Sequence, residues 1–447
     1  MTPSPRRAAV EILTRIEREK AHAESLLDTA LTPKETFNPQ DRRLLTELVY
    51  GTLRMRGQLD WLIGQIYRGD PEKLDILVRN ILRTALYQIR FTDRIPSFAA
   101  VNEAVRITKA LHPGASGLVN AVLRNTLRRL DQLAWPSLEA DPEQAIAVLH
   151  SHPRWLVRRL LAQYSPEETV AICRANNTIA PFTLRVNTLK VSREEALAAL
   201  TAEGITAEPT AWSPDGLRLT SPATGFRETS AYRQGLIRIQ DEASQWISRL
   251  LSPEPGAEVL DLCAGSGGKT LHLASLMKNQ GRITAFDLHA EPLRELSQEA
   301  KRLGITIVQT QKGNGRSLPQ EFSGRFDRVL LDAPCSGLGT LRHNPEIRWR
   351  LQPEDFKRCR ELQIALLSSA VVCLKAGGRL VYSVCAVTPE ENEFVISELR
   401  KRHPELTPAA PALADLPVPF RDGDFLKTYP HRHGADGFFA AIFTAPD

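Results

Sequence analysis

The chain has 447 residues, of which 42% are hydrophobic and 24% charged, so it is too long for one ordinary domain and has the composition of a globular protein. It shows no leader-like start and no apolar run near the ~20 residues of a membrane span, which excludes a membrane protein and makes the cytoplasm the expected location. Its six cysteines follow no zinc-ligand spacing, so we expect free thiols and no metal.

The net charge of +5 is unevenly distributed. Residues 1–130 carry 21 Lys and Arg against 14 Asp and Glu, an excess of +7, and the remainder of the chain is close to neutral. A basic first part suggests contact with phosphate groups, as in nucleic acid, although a solvated charged surface would give the same count.

The first part of the chain reads as an all-α bundle. Apolar residues recur at helical spacing in "AAVEILTRI", "DRRLLTELVYGTL" and "LDILVRNILRTALYQI". Proline-containing "LAWPSLEADPEQ" interrupts this pattern, and "HPRWLVRRLLAQY" predicts a connecting helix. We therefore assign residues 1–135 to a helical domain and 136–177 to a helical linker.

The remainder alternates strands and helices. "FTLRVNT", the capped helix "SREEALAALTAEG" and "DGLRLT" predict a small α/β domain over residues 178–235. From residue 236 to 447, strand, glycine-containing turn and helix repeat, which predicts a mostly parallel, doubly wound Rossmann-like sheet. Ligands of such sheets bind at the carboxyl ends of the strands.

"VLDLCAGSGGKT" predicts a nucleotide-like ligand. Gly265, Gly267 and Gly268 permit a tight turn before a helix with free N–H groups. A Walker A phosphate loop would require glycine where Cys263 stands. The next strand ends at Asp287, which can accept both hydroxyls of a ribose, so a single nucleoside such as S-adenosylmethionine fits better than a dinucleotide.

Several motifs together resemble one family. "DLCAGSGGKT", "DAPCSGLGT", "YSVCAVTPEENE" and the terminal "DGFFAAIF" are similar to the RNA cytosine carbon-5 methyltransferases. "RVNTLKVSREEAL" and "IQDEASQ" resemble the bacterial branch that includes ribosomal RNA small subunit methyltransferase B. "ELVYGTLRMRGQLDWLI", "ILRTALYQIRF" and "IPSFAAVNEAVRITKALHPGASGLVNAVLRN" resemble the antitermination factor NusB, whose fold is an RNA-binding helical bundle.

The resemblance implies transfer of a methyl group from S-adenosylmethionine to carbon 5 of a cytosine in 16S ribosomal RNA. Cys385 would be the nucleophile that adds to carbon 6, Cys335 would assist product release and Asp332 would stabilise the adduct. The sequence by itself does not show which of the two cysteines is the nucleophile and which assists product release. The residues predicted to bind the cofactor are Cys263, Ala264, Gly265, Ser266, Gly267, Gly268, Lys269, Asp287, Asn314 and Asp332.

Four positions depart from the family pattern. Ser266 stands in place of a usual proline, Asn314 in place of an aspartate, Val384 in place of a threonine and Ala386 in place of a serine. Because an amide donates as well as accepts, Asn314 is expected to lower the affinity for the cofactor.

Small-subunit ribosomal RNA is the partner that the resemblance implies, for a protein expected to be monomeric. In "LRHNPEIRWR", Arg342, Arg348 and Arg350 could contact phosphates and Trp349 could stack on a base. The alternative is that Trp349 packs in a core with arginines at its rim. A rival function is a non-enzymatic RNA-binding assembly factor, and an amino-methylating enzyme is the rival reaction, although it would have no use for two thiols.

Overall fold

The computed structural model of the chain describes residues 4–32, 36–221, 225–409 and 417–447. The chain forms two compact units. The first comprises Met1–Thr178 and Leu341–Leu351, and the second comprises Ile179–Thr340 and Gln352–Asp447. Within the described residues, no helix combines the length and the apolar character that a membrane span requires.

The first unit is helical, as the apolar periodicity predicts. Asn38 accepts hydrogen bonds from the backbone N–H groups of Gln40 and Asp41, and Asp75 caps another helix in the same way. Leucine, isoleucine and valine side chains from the helices form one buried core. The helices are α1 (Pro5–Glu19), α2 (Ala23–Leu31), α3 (Pro39–Ile66), α4 (Ile76–Phe91), α5 (Ser97–Leu111), α6 (Ser116–Arg129), α7 (Pro142–Leu149), α8 (Arg154–Leu161) and α9 (Pro166–Asn176).

Two segments are grouped differently from the sequence prediction. The stretch 136–177, predicted as a linker, carries α7 to α9 around a small buried cluster that includes Ile146, Val157 and Cys173, and it belongs to the first unit. The segment Leu341–Leu351 also belongs to the first unit, although the chain on both sides of it belongs to the second.

The second unit begins with a small antiparallel sheet in the order β2-β3-β1-β4. Its strands are β1 (Thr183–Val186), β2 (Ala207–Pro209), β3 (Gly216–Leu219) and β4 (Ile237–Ile239), so β4 lies beyond the predicted boundary at residue 235. The helix predicted from "SREEAL" is α10 (Arg193–Ala202), which begins at a capping box formed by Ser192 and Glu195. A short helix, α11 (Ser230–Arg233), precedes β4.

In the described part of the chain, the larger sheet has nine strands. Its main path runs β11-β12-β13-β9-β8-β5-β6-β7, with β10 paired to β13. Strands β5 to β9 are parallel and β10 to β13 are antiparallel, so the sheet is mixed. The strands are β5 (Glu258–Asp261), β6 (Arg282–Asp287), β7 (Val308–Lys312), β8 (Phe326–Asp332), β9 (Leu374–Val384), β10 (Thr407–Pro408), β11 (Arg421–Asp422), β12 (Phe425–Lys427) and β13 (Phe439–Thr444).

Apolar clusters cover both faces of this sheet. Along β8, Leu330 packs into one buried cluster, and Val329 and Leu331 pack into the other, because successive strand residues point to opposite faces. The remaining helices are α12 (Glu242–Leu251), α13 (Gly268–Leu276), α14 (Ala290–Leu303), α15 (Ile347–Arg350, in the first unit), α16 (Pro353–Val372), α17 (Glu393–Arg402) and α18 (Pro430–His433).

The strand order reverses at β5. The chain proceeds from β5 to β6 and β7 on one side and then to β8 and β9 on the other. A crevice at the carboxyl ends of β5 and β8 is the expected binding place in a sheet of this kind. Asp261, Asp287 and Asp332 end three of the parallel strands, and Cys385 directly follows β9.

Candidate active site

The glycine loop joins β5 to α13. Gly265 and Gly267 have φ angles of 52° and 83°, a region that residues with side chains avoid. A Cβ atom at Gly267 would also lie 2.5 Å from Leu296 Cγ, so packing requires glycine there. Because the first N–H groups of α13 have no helical partner, the loop can receive a polar ligand against its backbone.

Two buried arginines of the small sheet hold the carbonyl groups of this loop. Arg185 donates from Nη1 to Gly268 O at 2.8 Å, and Arg238 donates from Nη2 to Ser266 O at 2.9 Å. Burial, reinforced by the like charge of Arg238, lowers the pKa of Arg185 to about 9. The sequence analysis did not identify either arginine. The one local indication was that each lies as a single cation within an apolar strand, "TLRV" and "IRI".

Asp287 lies beside the glycine loop. Its Oδ2 accepts from Gly265 N and its Oδ1 accepts from His289 N, both at 2.9 Å. The carboxylate is partly exposed, so its remaining lone pairs can accept from a ribose. Asn314 is exposed after β7, and its Oδ1 accepts from Arg316 N at 3.1 Å within its own turn.

Asp261 is a buried carboxylate that the sequence analysis did not single out. Its Oδ2 accepts from Thr270 Oγ1 at 2.7 Å, and its Oδ1 has no partner among the described residues. Burial raises the pKa of this carboxyl to about 7, and the nearby charges of Asp332 and Asp287 act in the same direction. A cation placed against the free Oδ1 would compensate the buried charge.

Lys269 and Asp332 form an ion pair across the crevice. Lys269 Nζ lies 2.5 Å from Asp332 Oδ2, and Ser383 Oγ donates to Asp332 Oδ1 at 2.7 Å. Burial opposes the charge on Lys269, but the adjacent carboxylate outweighs it and raises the pKa of the ammonium group. The ammonium also lies 5.2 Å from the ring centre of Phe438. The predicted helix-start lysine and strand-end aspartate therefore act as one group.

The two predicted catalytic cysteines meet. Cys335 Sγ and Cys385 Sγ are 3.1 Å apart, both side chains are partly exposed, and both are free thiols. The hydrogen bond with Cys385 and then burial raise the pKa of Cys335 well above its ordinary value. The β8 and β9 ends thus bring together residues 50 positions apart in the sequence.

Cys263 and Ala264 complete the loop. Cys263 packs against the apolar cluster on one face of the sheet, and Ala264 N donates to Phe286 O at 3.1 Å. Burial, followed by the charges of Asp261 and Asp287, raises the pKa of the Cys263 thiol. A neutral thiol in this place shapes the loop and is poorly suited to nucleophilic attack.

Comparison with known proteins identifies the family. A family model described as 16S rRNA methyltransferase RsmB/F matches residues 248–444, a NusB family model matches 3–128, and an RsmF/B-like ferredoxin-like domain model matches 152–224. A probable ribosomal RNA small subunit methyltransferase B of Bacillus subtilis is 38% identical, over 98% of this chain and 97% of its own length. The chain belongs to the ribosomal RNA small subunit methyltransferase B family.

Further relatives agree with this family. The ribosomal RNA small subunit methyltransferase B of Klebsiella pneumoniae (strain 342) is 35% identical, over 92% of this chain and 94% of its own length. The crystal structure of PH0851 aligns over 99% of both chains with 31% identity and a TM-score of 0.84. NSun6 from Pyrococcus horikoshii with SFG shares the fold, with 22% identity, a TM-score of 0.60 and coverage of 67% of this chain and 100% of its own. This family is S-adenosylmethionine-dependent, so S-adenosylmethionine is the methyl donor.

Two of the arginines predicted to contact RNA are buried in this family member. Arg348 is 0% exposed and donates to Ser151 O at 3.2 Å and to Asn177 Oδ1 at 2.7 Å. Arg342 is 5% exposed. The predicted phosphate contact is therefore wrong for Arg348, which has no exposed surface, and burial leaves Arg342 very little surface for one.

The other two residues of that segment are also engaged within the first unit. Trp349 donates from Nε1 to Leu53 O at 2.7 Å, and Arg350 donates from Nη1 to Lys20 O at 2.6 Å. The alternative of a packed tryptophan with arginines at its rim describes the segment. The sequence "RWR" is compatible with binding to RNA and with binding to carbonyl groups of the same protein. No local sequence signal distinguishes these two cases.

Proposed function

We propose that this family member transfers the methyl group of S-adenosylmethionine to carbon 5 of a cytosine in 16S, small-subunit ribosomal RNA, through a covalent bond between Cys385 and carbon 6. The observation that carries the proposal is the pair of free thiols 3.1 Å apart beside the Lys269–Asp332 ion pair. The names of the curated relatives support ribosomal RNA as the substrate class.

Two thiols suit this reaction because carbon 5 of cytosine is a weak nucleophile. Addition of the Cys385 thiolate to carbon 6 makes the ring an enamine, and carbon 5 then takes the methyl group. The proton on carbon 5 must afterwards leave before the bond between carbon 6 and sulfur can break. A second thiol at the same place can assist that step, which is the role proposed for Cys335.

Asp332 and Lys269 are suited to the electron-rich ring. As carbon 6 is attacked, negative charge develops towards ring nitrogen 3. Lys269 Nζ donates to Asp332 Oδ2 at 2.5 Å, so the pair carries a proton that it can direct to that nitrogen. Ser383, which donates to the other Asp332 oxygen, fixes the direction of the carboxylate.

The residues around the glycine loop fit the methyl donor. S-adenosylmethionine, when bound, supplies an electrophilic methyl group on a sulfonium centre. Asp287 can accept from its ribose, and the unpartnered Oδ1 of Asp261 can accept from its ammonium group. Asp261 and Asp287 end the strands on either side of the glycine loop, where a carboxylate can meet the positive charge of the methyl donor.

Methyl transfer to a defined RNA tests the proposal. The purified protein would be incubated with small-subunit ribosomal RNA transcript and S-adenosylmethionine labelled with tritium in the methyl group, and the RNA would be digested to nucleosides. We expect the label in 5-methylcytidine and none with Cys385→Ala. Label in N4-methylcytidine or in a methyladenosine would contradict the proposal, and bisulfite sequencing of the product would locate the cytosine.

A further inference from the structure

Glu391, which the reaction described above does not use, is a fully buried carboxylate behind the Cys335 turn. It is 0% exposed. Its Oε1 accepts from Ser336 N at 2.8 Å and from Gln363 Nε2 at 3.1 Å, and its Oε2 accepts from Thr388 Oγ1 at 3.0 Å. The three donors are a backbone N–H, an amide and a hydroxyl group, so none of them carries a positive charge that would offset a negative charge on Glu391.

The same contacts connect the two cysteine loops. Ser336 directly follows Cys335, and Glu391 and Thr388 lie in the loop that follows Cys385. Gly339 N also donates to Cys385 O at 2.9 Å, which ties the loops a second time. A negative charge is thereby fixed on the Cys335 side of the thiol pair.

The ammonium group on the other side of the pair is itself ion-paired. Lys269 is held near Cys385 by its ion pair with Asp332, and a negative charge on Cys385 favours the charged form of Lys269. The two thiols, alike in chemistry and 3.1 Å apart, therefore have different charged neighbours: the Glu391 carboxylate behind Cys335 and the Lys269–Asp332 ion pair beside Cys385.

We infer that Glu391 decides which cysteine becomes the nucleophile: its charge keeps the proton that the two sulfur atoms share on Cys335 and leaves Cys385 as the thiolate. This inference rests on the proposed function. It explains which of the two cysteines attacks carbon 6, a question that the sequence leaves open. Glu391 is a positioning residue, because it acts on the reacting sulfur through its neighbour.

The pKa of Cys335 agrees with this assignment. The hydrogen bond with Cys385 and burial raise it most, and the charges of Cys385 and Glu391 raise it further. A negative charge is therefore costlier on Cys335 than on a thiol without these neighbours. The other titratable groups that act on this cluster are Lys269, Asp332, Tyr382 and Cys359.

The effect of the Cys385 charge on Cys335 also explains how Cys335 can later act as a base. When Cys385 forms its bond to carbon 6, its charge is consumed and the repulsion on Cys335 weakens, so Cys335 can release its proton to water. The Cys335 thiolate can then accept the proton from carbon 5. The electrons of that C–H bond form the double bond between carbons 5 and 6, and the electrons of the carbon–sulfur bond return to Cys385.

Alkylation of the protein without RNA tests the inference. Initial rates of reaction with iodoacetamide would be measured across pH at each cysteine by peptide mass spectrometry, in the full-length protein. We expect Cys385 to react first in the wild type. Glu391→Gln keeps the shape of the side chain and removes its charge, and it should raise the rate at Cys335 relative to that at Cys385 about tenfold, as a change of about one pKa unit implies.

Gln363→Met is the matched control. Gln363 donates to Glu391 and also to Pro334 O at 3.0 Å, so this variant loosens the same turn and leaves the charge in place. It should not raise the relative rate at Cys335. Affinity for S-adenosylmethionine, measured by calorimetry, reports whether each variant keeps its fold.

An unchanged ratio of rates in a folded Glu391→Gln variant, or an equal rise in Gln363→Met, would overturn the inference. If Glu391→Gln does not fold, Lys269→Met removes the cation at the other end of the pair and should change the ratio in the same direction; an unchanged ratio there is equally contrary. The alkylation rates are measured without RNA, so they do not depend on methyl transfer. If the methylation assay yields no 5-methylcytidine, the proposed function fails, but the measured ratio of alkylation rates remains valid.

Discussion

Asp261 makes the site sensitive to pH. Its carboxyl is 1% exposed, and one of its oxygens has no partner among the described residues. Its pKa in the folded protein is raised to about 7, against about 3.9 for an unperturbed aspartate. The folded state therefore binds this proton more tightly than the unfolded state between these two values.

The contribution of Asp261 to the free energy of unfolding should accordingly fall as pH rises from about 4 through about 7, because the folded protein must ionise a buried group that is already ionised when unfolded. Burial lowers the pKa values of His152 and His272, and these two groups make the free energy of unfolding rise with pH in the same range. Asp261→Asn removes the contribution of Asp261 alone and should raise the stability at the higher pH relative to that at the lower pH. Urea denaturation of both proteins at about pH 5 and about pH 8 measures the difference. Equal pH dependence in the two proteins would show that Asp261 is not held neutral.

Asp287 should contribute to cofactor affinity through its remaining lone pairs. Asp287→Ala is expected to weaken binding of S-adenosylmethionine by about 1.5 to 3 kcal/mol, the cost of losing a charged hydrogen bond. Part of this loss comes from Gly265, whose N–H would lose its acceptor. His289→Ala is the control, since His289 contacts Asp287 through its backbone N–H. Calorimetry that finds both variants equal to wild type would contradict the assignment.

The glycine loop depends on two different constraints, which can be separated by substitution. Gly265 and Gly267 both have positive φ angles, but a Cβ atom would have open space at Gly265 and would lie 2.5 Å from Leu296 Cγ at Gly267. Gly265→Ala should cost about 1 kcal/mol of stability from backbone strain. Gly267→Ala should cost about 1 to 3 kcal/mol more, from the same strain and a steric clash.

Thermal unfolding of the two alanine variants measures this difference. If both lower the melting temperature equally, the packing of Leu296 against the loop is not as described. The comparison also bears on the cofactor, because the variant that moves the loop should lose affinity for S-adenosylmethionine and Gly265→Ala should lose less.

Elements set by local pattern were predictable from the sequence. The capping box at Ser192 and the apolar strand before Asp332 carry their signal within a few residues, and the structure confirms both. The proximity of Cys335 and Cys385 was also predictable, because both follow strands of a parallel sheet and both lie in motifs of the family that the chain resembles. The contacts of Arg185 with Gly268, over 83 residues, depend on which surfaces meet and leave no local pattern to read.

At the scale of the whole molecule, the segment Leu341–Leu351 changes how the basic first part should be tested. Because Trp349 and Arg350 donate to Leu53 O and Lys20 O, deleting residues 1–135 would remove both acceptors and leave this segment without part of its packing. Substitution of surface arginines is the cleaner experiment. Arg124, Arg128 and Arg129 are exposed on α6.

Replacing these three arginines by glutamine should lower RNA affinity and flatten the dependence of log affinity on log salt by about 0.7 for each phosphate that the protein no longer neutralises. Arg7, Arg15 and Arg106 are the matched control, since each is also exposed and pairs with a glutamate of its own helix. Filter binding over a salt series measures both triple variants. Equal flattening would show that overall charge, and not this helix, attracts the RNA.

The covalent adduct tests the central claim most directly. Each variant would be incubated as full-length protein with small-subunit ribosomal RNA and S-adenosylmethionine and run on a denaturing gel. Cys335→Ala retains the nucleophile but should stall at elimination, so it should migrate as a protein–RNA adduct, whereas Cys385→Ala should form no adduct and transfer no methyl group. An adduct with Cys385→Ala alone would exchange the two roles, and methylation that persists in both variants without any adduct would contradict thiol catalysis altogether.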